Sequence, residues 1–243
     1  MGWKELAENK EGLFCASERE SAVSVFLAGK KYNKTDYSAS LQDLRHAERL
    51  LVRTISGVPP ESIYFLNQVH GSRVHIVSGD ADPAAAFCAE ADALVSLKKA
   101  CSLVIRTADC CAVLFSAPGG IAAAHSGWRG TRENIAARTL SQLCSSAGTK
   151  AVSVHAWLMP CISPASCQVQ EDVAVHFPRH VRKTENGLFL NLQGAIAEQL
   201  LEEGLPEQNI HRTQLDTYRD NKLFYSHRRG DQGRNLNIIV LSG

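Results

Sequence analysis

The sequence predicts an α/β (α+β) fold, a single layered domain with mixed β-sheets flanked by helices. Short β-rich runs recur along the 243 residues, and several are continuously apolar rather than alternating, the pattern of strands covered on both faces. Only four segments show helical spacing, so the strict strand–helix alternation of a Rossmann or TIM arrangement is absent, as are G-x-G-x-x-G and P-loop strings. No repeat, low-complexity tract or Pro/Gly/Ser linker marks a boundary, which makes 1–243 one domain.

In chain order, strands are expected at 22–28, 63–69, 73–78, 92–97, 102–106, 112–116, 121–124, 151–158, 223–226 and 236–241. The first helix carries Leu41, Leu44, Ala47, Leu51 and Ile55 on one face. The second carries Ile135, Ala136, Leu140 and Leu143 and stops at Gly148. A short piece at 171–177 ends before Pro178. The last spans 192–203, with Asn191 as its N-cap, Leu192, Ile196 and Leu200 inward, and Gly204 just past its end.

Composition narrows the function. With 44% hydrophobic and 21% charged residues, global disorder is excluded. Twenty-six basic against 25 acidic side chains give no electrostatic reason to expect a nucleic-acid partner. No run approaches the roughly 18 apolar residues of a membrane span. The first ten residues are polar with no apolar signal core, and Leu6 stands where a myristoylation signal wants Ser or Thr. The expected setting is cytoplasmic and reducing, so the eight cysteines are expected as free thiols or ligands.

Three strings each place a metal-competent side chain at the end of an apolar run: Asn67-Gln-Val-His-Gly71, Thr107-Ala-Asp-Cys-Cys111 and Ala124-His-Ser-Gly-Trp-Arg-Gly130. Strand ends and the turns after them are where layered folds build sites. His70, Cys110 and His125 supply two imidazoles and one thiolate, a set that zinc accepts with a fourth position left open. The spacing does not by itself decide for a metal. A histidine after an apolar strand is by default a core or turn residue, and adjacent cysteines are by default small buried hydrophobes.

Together the strings resemble the family labelled multicopper polyphenol oxidoreductase (laccase). That family is better described as purine nucleoside phosphorylase/adenosine deaminase, and it includes the bacterial peptidoglycan editing factors. The likeness runs from about Ile63 to Arg234. It also takes in Ala91-Asp-Ala-Leu-Val-Ser96, Pro160-Cys-Ile-Ser-Pro164, Leu223-Phe-Tyr-Ser-His-Arg-Arg229 and Gly233-Arg234. The resemblance implies one zinc-dependent purine nucleoside phosphorylase-like domain whose ligands are His70, Cys110 and His125. Asp109 and Arg129 then fall in catalytic positions, and Arg49, Gln68, Arg228 and Arg229 in positions that bind substrate or phosphate. Each has a plainer reading: Asp109 as a turn cap, Arg129 as a solvated neighbour of Trp128, Arg49 as the polar face of the first helix. Arg228, Arg229 and Arg234 also form a short basic cluster suited to an anion.

The implied chemistry is phosphorolysis of adenosine, inosine or methylthioadenosine and hydrolytic deamination of adenosine, with purine nucleoside and phosphate as partners and neither nucleic acid nor membrane. Zinc suits deamination because it brings a water's pKa toward ~7. Copper is the lesser candidate: nine histidines include no H-x-H pair, and only Met1 and Met159 are available as axial methionines. A metal-free Cys110–His125 hydrolase is one alternative, and peptidoglycan editing, a quality control of cell-wall precursors, is another.

The first 60 residues depart most from the family pattern: Phe14–Ser24 lacks its Phe-Ser-x-Arg and Gly-Gly-Val-Ser strings, and Glu48 replaces the Asn of an Asn-Arg pair. Ala39-Ser40 replaces Gly-Asp, Met159 a glycine, Cys167-Gln168-Val169 a Tyr-Glu-Val, and Asp216-Thr217 a Cys-Thr.

Overall fold

The computed structural model describes residues 7–17, 22–78 and 82–243. Gly2 and Leu6, which bear on the acylation signal, lie outside these, as do positions 18–21 of the divergent early stretch.

The first half of the chain contributes β1 (Ala7–Glu8), β2 (Leu13–Ser17), β3 (Val23–Ala28), α1 (Leu41–Ser56), β4 (Ile63–Tyr64), β5 (Val74–Val77), α2 (Pro83–Cys88), β6 (Ala93–Ser96), β7 (Cys101–Thr107) and β8 (Cys111–Ala117). There follow β9 (Gly120–Ser126), α3 (Trp128–Arg132), α4 (Ile135–Ala147), β10 (His155–Leu158), β11 (Gln168–Val169) and α5 (Glu171–Ala174). The chain closes with β12 (Val181–Thr184), β13 (Gly187–Leu190), α6 (Leu192–Glu202), β14 (Ile210–Arg212) and β15 (Asn235–Leu241). The strands form two six-stranded mixed sheets, ordered β1-β2-β3-β15-β7-β4 and β14-β10-β8-β9-β6-β5, and a separate small sheet ordered β11-β13-β12.

The continuous apolar runs are explained by the layering. On β8, Cys111, Val113 and Phe115 enter the core shared with α4 and α6, while Ala112 and Leu114 enter the core between the two large sheets. On β15, Ile239 and Leu241 face that same inter-sheet core, and Leu236, Ile238 and Val240 face the layer under α1. A period of two therefore buries both sets, and the result is a helix–sheet–sheet–helix stack.

Helix ends follow the local chemistry. Asn191 accepts from the Gly194 N–H to cap α6, and Gly148 (φ 62°) takes the left-handed conformation that ends α4. In α1 the buried face differs from the expected one: Leu41 is 59% exposed, whereas Glu48 and Val52 are buried. The apolar run at 223–226 is not a strand. Phe224 is buried in the inter-sheet core, but the N–H groups of Tyr225 and Ser226 go to the side chains of Asn235 and Asp231, so no ladder forms. At 63–69 only Ile63–Tyr64 pairs as a strand. At 151–158 a 3₁₀ turn (Ala151–Ser153) precedes β10, and the expected piece at 171–177 is shorter as α5. Strands β2 and β11 to β14 and helices α2 and α3 add elements that apolar periodicity did not mark. Among the described residues no helix is long and apolar enough to cross a membrane.

Candidate metal centre and its cavity

The Thr107–Cys111 turn carries the chain from β7 in one sheet to β8 in the other, so it lies where the two sheet ends meet. Cys110 sits in that turn, after Asp109 at φ 82°. His125 is the penultimate residue of β9. Antiparallel pairing of Ala93 with Ala124 sets Asp92 opposite His125, and the His125 N–H donates to the Asp92 carbonyl at 2.7 Å. His70 occupies an exposed turn at φ 61°.

These three side chains converge: one ligand atom from each of His70, Cys110 and His125 lies within 4.8 Å of the others. The two imidazoles meet edge to face, with centroids 4.7 Å apart. Gly127 gives them room, because a Cβ there would stand 2.8 Å from the Cys110 Sγ.

One residue organises both histidines. The carboxylate of Asp92, fully buried, accepts the backbone N–H groups of Val69 (3.2 Å), His70 (2.9 Å) and Gly71 (2.7 Å). It also receives Nδ1 of His125 at 2.8 Å, which leaves that ring's Nε2 facing the cluster. Burial works against its charge, but the His125 hydrogen bond and the backbone donors of Gly71 and His70 hold its pKa below the ordinary aspartate value. Asp92 was not among the expected site residues. Its signal was the Ala91-Asp-Ala string, where one acidic residue opens an apolar strand.

The electrostatics favour a charged pair. Burial opposes the Cys110 thiolate, yet the adjacent His125 charge and hydrogen bonds from His125 and His70 bring the thiol down to about 6. Burial likewise opposes the His125 imidazolium, but Cys110 and Asp92 lift it to about 9. At neutral pH without a metal, the pair is thiolate and imidazolium, flanked by a carboxylate.

The cluster opens into a cavity of about 970 Å³. Trp128, Ile162, Val169, Val173, Leu190 and Leu192 give it an apolar side, and Arg106, His227, Arg228 and Arg234 a basic one. Gln68 lines it and clamps the Arg106 main chain in both directions, at 2.8 and 2.9 Å. Asp109 also lines it, but both of its oxygens are engaged: Thr217 Oγ1 donates to Oδ1 and the Arg228 N–H to Oδ2, each at 2.7 Å. Arg228 reaches the Gln168 carbonyl through Nη2 at 3.0 Å.

Three expected arginines do not come to the cavity wall. Arg49 donates to the Pro60 carbonyl at 3.1 Å beside its own helix. Arg129 is exposed and lies 4.3 Å over the Trp128 ring. Arg229 lies 3.9 Å over the Tyr218 ring and donates to the Tyr218 carbonyl. Each guanidinium is engaged by an aromatic face or a carbonyl instead. Arg106, which sequence reasoning missed as a site residue, does line it; its signal was one guanidinium ending the otherwise apolar run at 102–106.

The substituted positions have structural partners. Asp216 is buried and receives the hydroxyls of Ser163 and Ser166 and the guanidinium of Arg219. Met159 is buried in the inter-sheet core and is not part of the cavity lining.

The family described as multi-copper polyphenol oxidoreductase laccase matches residues 14–242. A purine nucleoside phosphorylase of Corynebacterium glutamicum is 31% identical, covering 77% of each chain. One of Haemophilus influenzae is 30% identical over 91% of each. The crystal structure of the Bacillus licheniformis hypothetical protein YfiH superposes with a TM-score of 0.88 at 21% identity, covering 98% of this chain and 99% of that one.

Proposed function

Since the chain belongs to the multi-copper polyphenol oxidoreductase laccase family, whose relatives at about 30% identity carry the name purine nucleoside phosphorylase, we propose that it is a zinc-dependent enzyme of purine nucleosides. Its reactions are phosphorolysis of adenosine, inosine or methylthioadenosine, and hydrolytic deamination of adenosine. The observation that carries this reading is the convergence of His70, Cys110 and His125 at the floor of a cavity large enough for a nucleoside.

The donor set fits zinc. Two imidazoles and a thiol that ionises at about 6 suit a borderline-soft ion, and three protein ligands leave one position toward the cavity. Copper in a blue-copper arrangement would want a weak axial methionine, and Met159 is in the core. When bound there, zinc supplies Lewis acidity to an oxygen of the reactants.

The chain's own residues do the rest. Asp92 fixes the ring of His125 and the turn of His70, so the ligands are preorganised. Trp128, Ile162 and Leu192 offer an apolar wall for a purine ring, and Val169 and Leu190 of the small sheet extend it. Asp109 holds Thr217 and the Arg228 backbone, which places the Arg228 side chain at the rim. In phosphorolysis a phosphate oxygen forms the new bond to ribose C1′ as the bond to the base breaks; in deamination water adds to the purine ring and ammonia leaves.

Metal analysis of the purified chain, followed by nucleoside turnover with and without phosphate, tests the reading. About one zinc per chain is expected, with base release dependent on phosphate and both lost in His125→Ala. Metal-free protein whose turnover survives His125→Ala would sink it.

One observation favours a second reading: Cys110, His125 and Asp92 stand in the order nucleophile, base and orienting carboxylate. A metal-free hydrolase would lose activity to iodoacetamide and keep it in a chelator. The zinc enzyme loses it to the chelator.

A further inference from the structure

Building on the reading that this cavity handles phosphate, we propose that Arg106 and Arg234, backed by the buried Glu48, form an oxyanion subsite in its wall that takes a phosphate group. Both arginines line the cavity. Leu236 pairs with Arg106 across β15 and β7, so Arg234, two residues earlier in the chain, lies at the same sheet end.

Glu48 ties them together. It is fully buried on α1, and its Oε2 approaches Arg106 Nη1 at 3.6 Å with no hydrogen-bond partner among the described residues. The Tyr37 hydroxyl lies 3.1 Å from both Glu48 Oε1 and the Arg234 carbonyl oxygen and shares its single proton between them. The charges of both Arg106 and Arg234 bear on Glu48 and offset part of the burial that raises its pKa. Glu48 pairs with Arg106, while Arg234, whose Nη1 donates to the Gln232 and Gly233 carbonyls at 2.8 Å, acts on it only through its charge, so two guanidiniums against one carboxylate leave the trio net positive. Neutralising Glu48 needs only one arginine, and the second leaves a cation for a ligand.

The site is rigid where a binding site needs rigidity. Gln68 clamps the Arg106 main chain, Nη2 reaches the Leu66 carbonyl at 3.3 Å, and the guanidinium lies 5.3 Å over the Phe87 ring. A guanidinium so fixed, 19% exposed and partly shielded from water, suits a tetrahedral oxyanion with little ordering cost on binding. Arg228, the other arginine of the wall, is exposed and held by the Gln168 carbonyl. Glu48 is a positioning residue here, acting through Arg106. The phosphate arrives either as the inorganic ion or as the ester of a nucleotide.

Calorimetric titration of the full, metal-loaded chain with inorganic phosphate, and separately with adenosine 5′-monophosphate, tests the subsite. Inorganic phosphate should bind, and Arg106→Gln should weaken it by about tenfold or more, the loss of a charge-assisted contact. Arg53→Gln, an exposed arginine of the same helix as Glu48, should bind as the parent does. Because Arg106→Gln strands a buried carboxylate, the double variant Glu48→Gln/Arg106→Gln is the second arm and should show the same loss. Glu48→Gln alone should change the phosphate KM more than kcat, and that change should vanish in the Arg106→Gln background.

Equal phosphate binding in the parent, Arg106→Gln and Arg234→Gln overturns the subsite, as does parent protein that binds neither titrant. Binding of the nucleotide alone, lost with Arg106, supports the subsite while removing phosphorolysis. Phosphate binding lost with Arg106 in a chain with no phosphate-dependent turnover separates the two in the same way. An effect of Glu48→Gln that persists undiminished without Arg106 overturns its positioning role.

Discussion

The two sides of the cavity are built on different principles. At the metal end, both histidines are set by one carboxylate: Asp92 holds the His70 turn by three backbone N–H groups and the His125 ring by Nδ1. At the arginine wall, the guanidiniums are set by a buried glutamate from a distant helix and by a glutamine clamp on a main chain. The first arrangement is local to adjacent strand ends in one sheet. The second joins α1, β7 and the segment before β15, and it lies where the early sequence departs from the family pattern. The histidine geometry at the metal end therefore depends on a single residue, and geometry at the wall on the docking of a helix.

Breaking that single residue should give the largest effect. Asp92→Asn keeps the shape but loses an acceptor and the charge that orients His125. Metal affinity is expected to fall by about 10–100-fold, the usual cost of losing a ligand's supporting carboxylate. A competition titration with a chromogenic chelator reads this directly. Parent-like affinity in Asp92→Asn would mean that the sheet ends alone fix the ligands, and the contrast between the two sides would collapse.

The charged pair sharpens the comparison at an intermediate scale. In metal-free protein the folded Cys110 titrates at about 6 against an ordinary 9.0, so its stabilising contribution is full above 9 and is lost as pH falls through about 6. The folded His125 titrates at about 9 against an ordinary 6.5, so its contribution is full below 6.5 and is lost as pH rises through about 9. Between about pH 6.5 and 9 the rising Cys110 contribution and the falling His125 contribution offset each other, so the melting temperature of the metal-free protein should change little across that window, whereas Cys110→Ala, which removes the rising half, should make it fall with pH. Iodoacetamide modification at Cys110, mapped by peptide mass, should follow an apparent pKa near 6. Modification that rises only near 9 would show that the thiol is not paired with His125.

The metal end was the more legible side in the sequence, for a physical reason. His70, Cys110 and His125 each end an apolar run, and a layered fold brings strand ends together, so three turns on separate strings become neighbours. Asp92 was harder to see because its work is done on backbone groups some twenty residues earlier in the chain, a contact that exists only after β5 and β6 pair. The arginines were harder still. A guanidinium's type says nothing about its direction, and Arg49, Arg129 and Arg229 turned to carbonyls and aromatic faces that periodicity does not report. The same limit misplaced the strand at 223–226: apolarity correctly marked Phe224 as buried, while side chains of Asn235 and Asp231 took the neighbouring N–H groups a strand would use. In α1 the apolar stripe did not reveal that its buried face carries Glu48, because a buried carboxylate is read as surface until its arginine partners are in place.

The smallest expected effect probes the wall through its helix. Ser40 caps α1 by accepting the Asp43 N–H at 3.2 Å, and its hydroxyl donates to the Asp43 carboxylate at 2.7 Å. Ser40→Ala should cost about 1 kcal/mol of stability, the usual loss for a serine N-cap. Its more informative consequence is selective. If the wall depends on α1 and the metal end does not, Ser40→Ala should leave metal stoichiometry and chelator competition unchanged while modestly raising the KM for phosphate. Denaturant melts, metal analysis and phosphate titration on one preparation give all three readings. Equal loss at both ends would mean that the helix supports the whole cavity, and the wall would then be no more separable from the metal centre than one strand end is from the next.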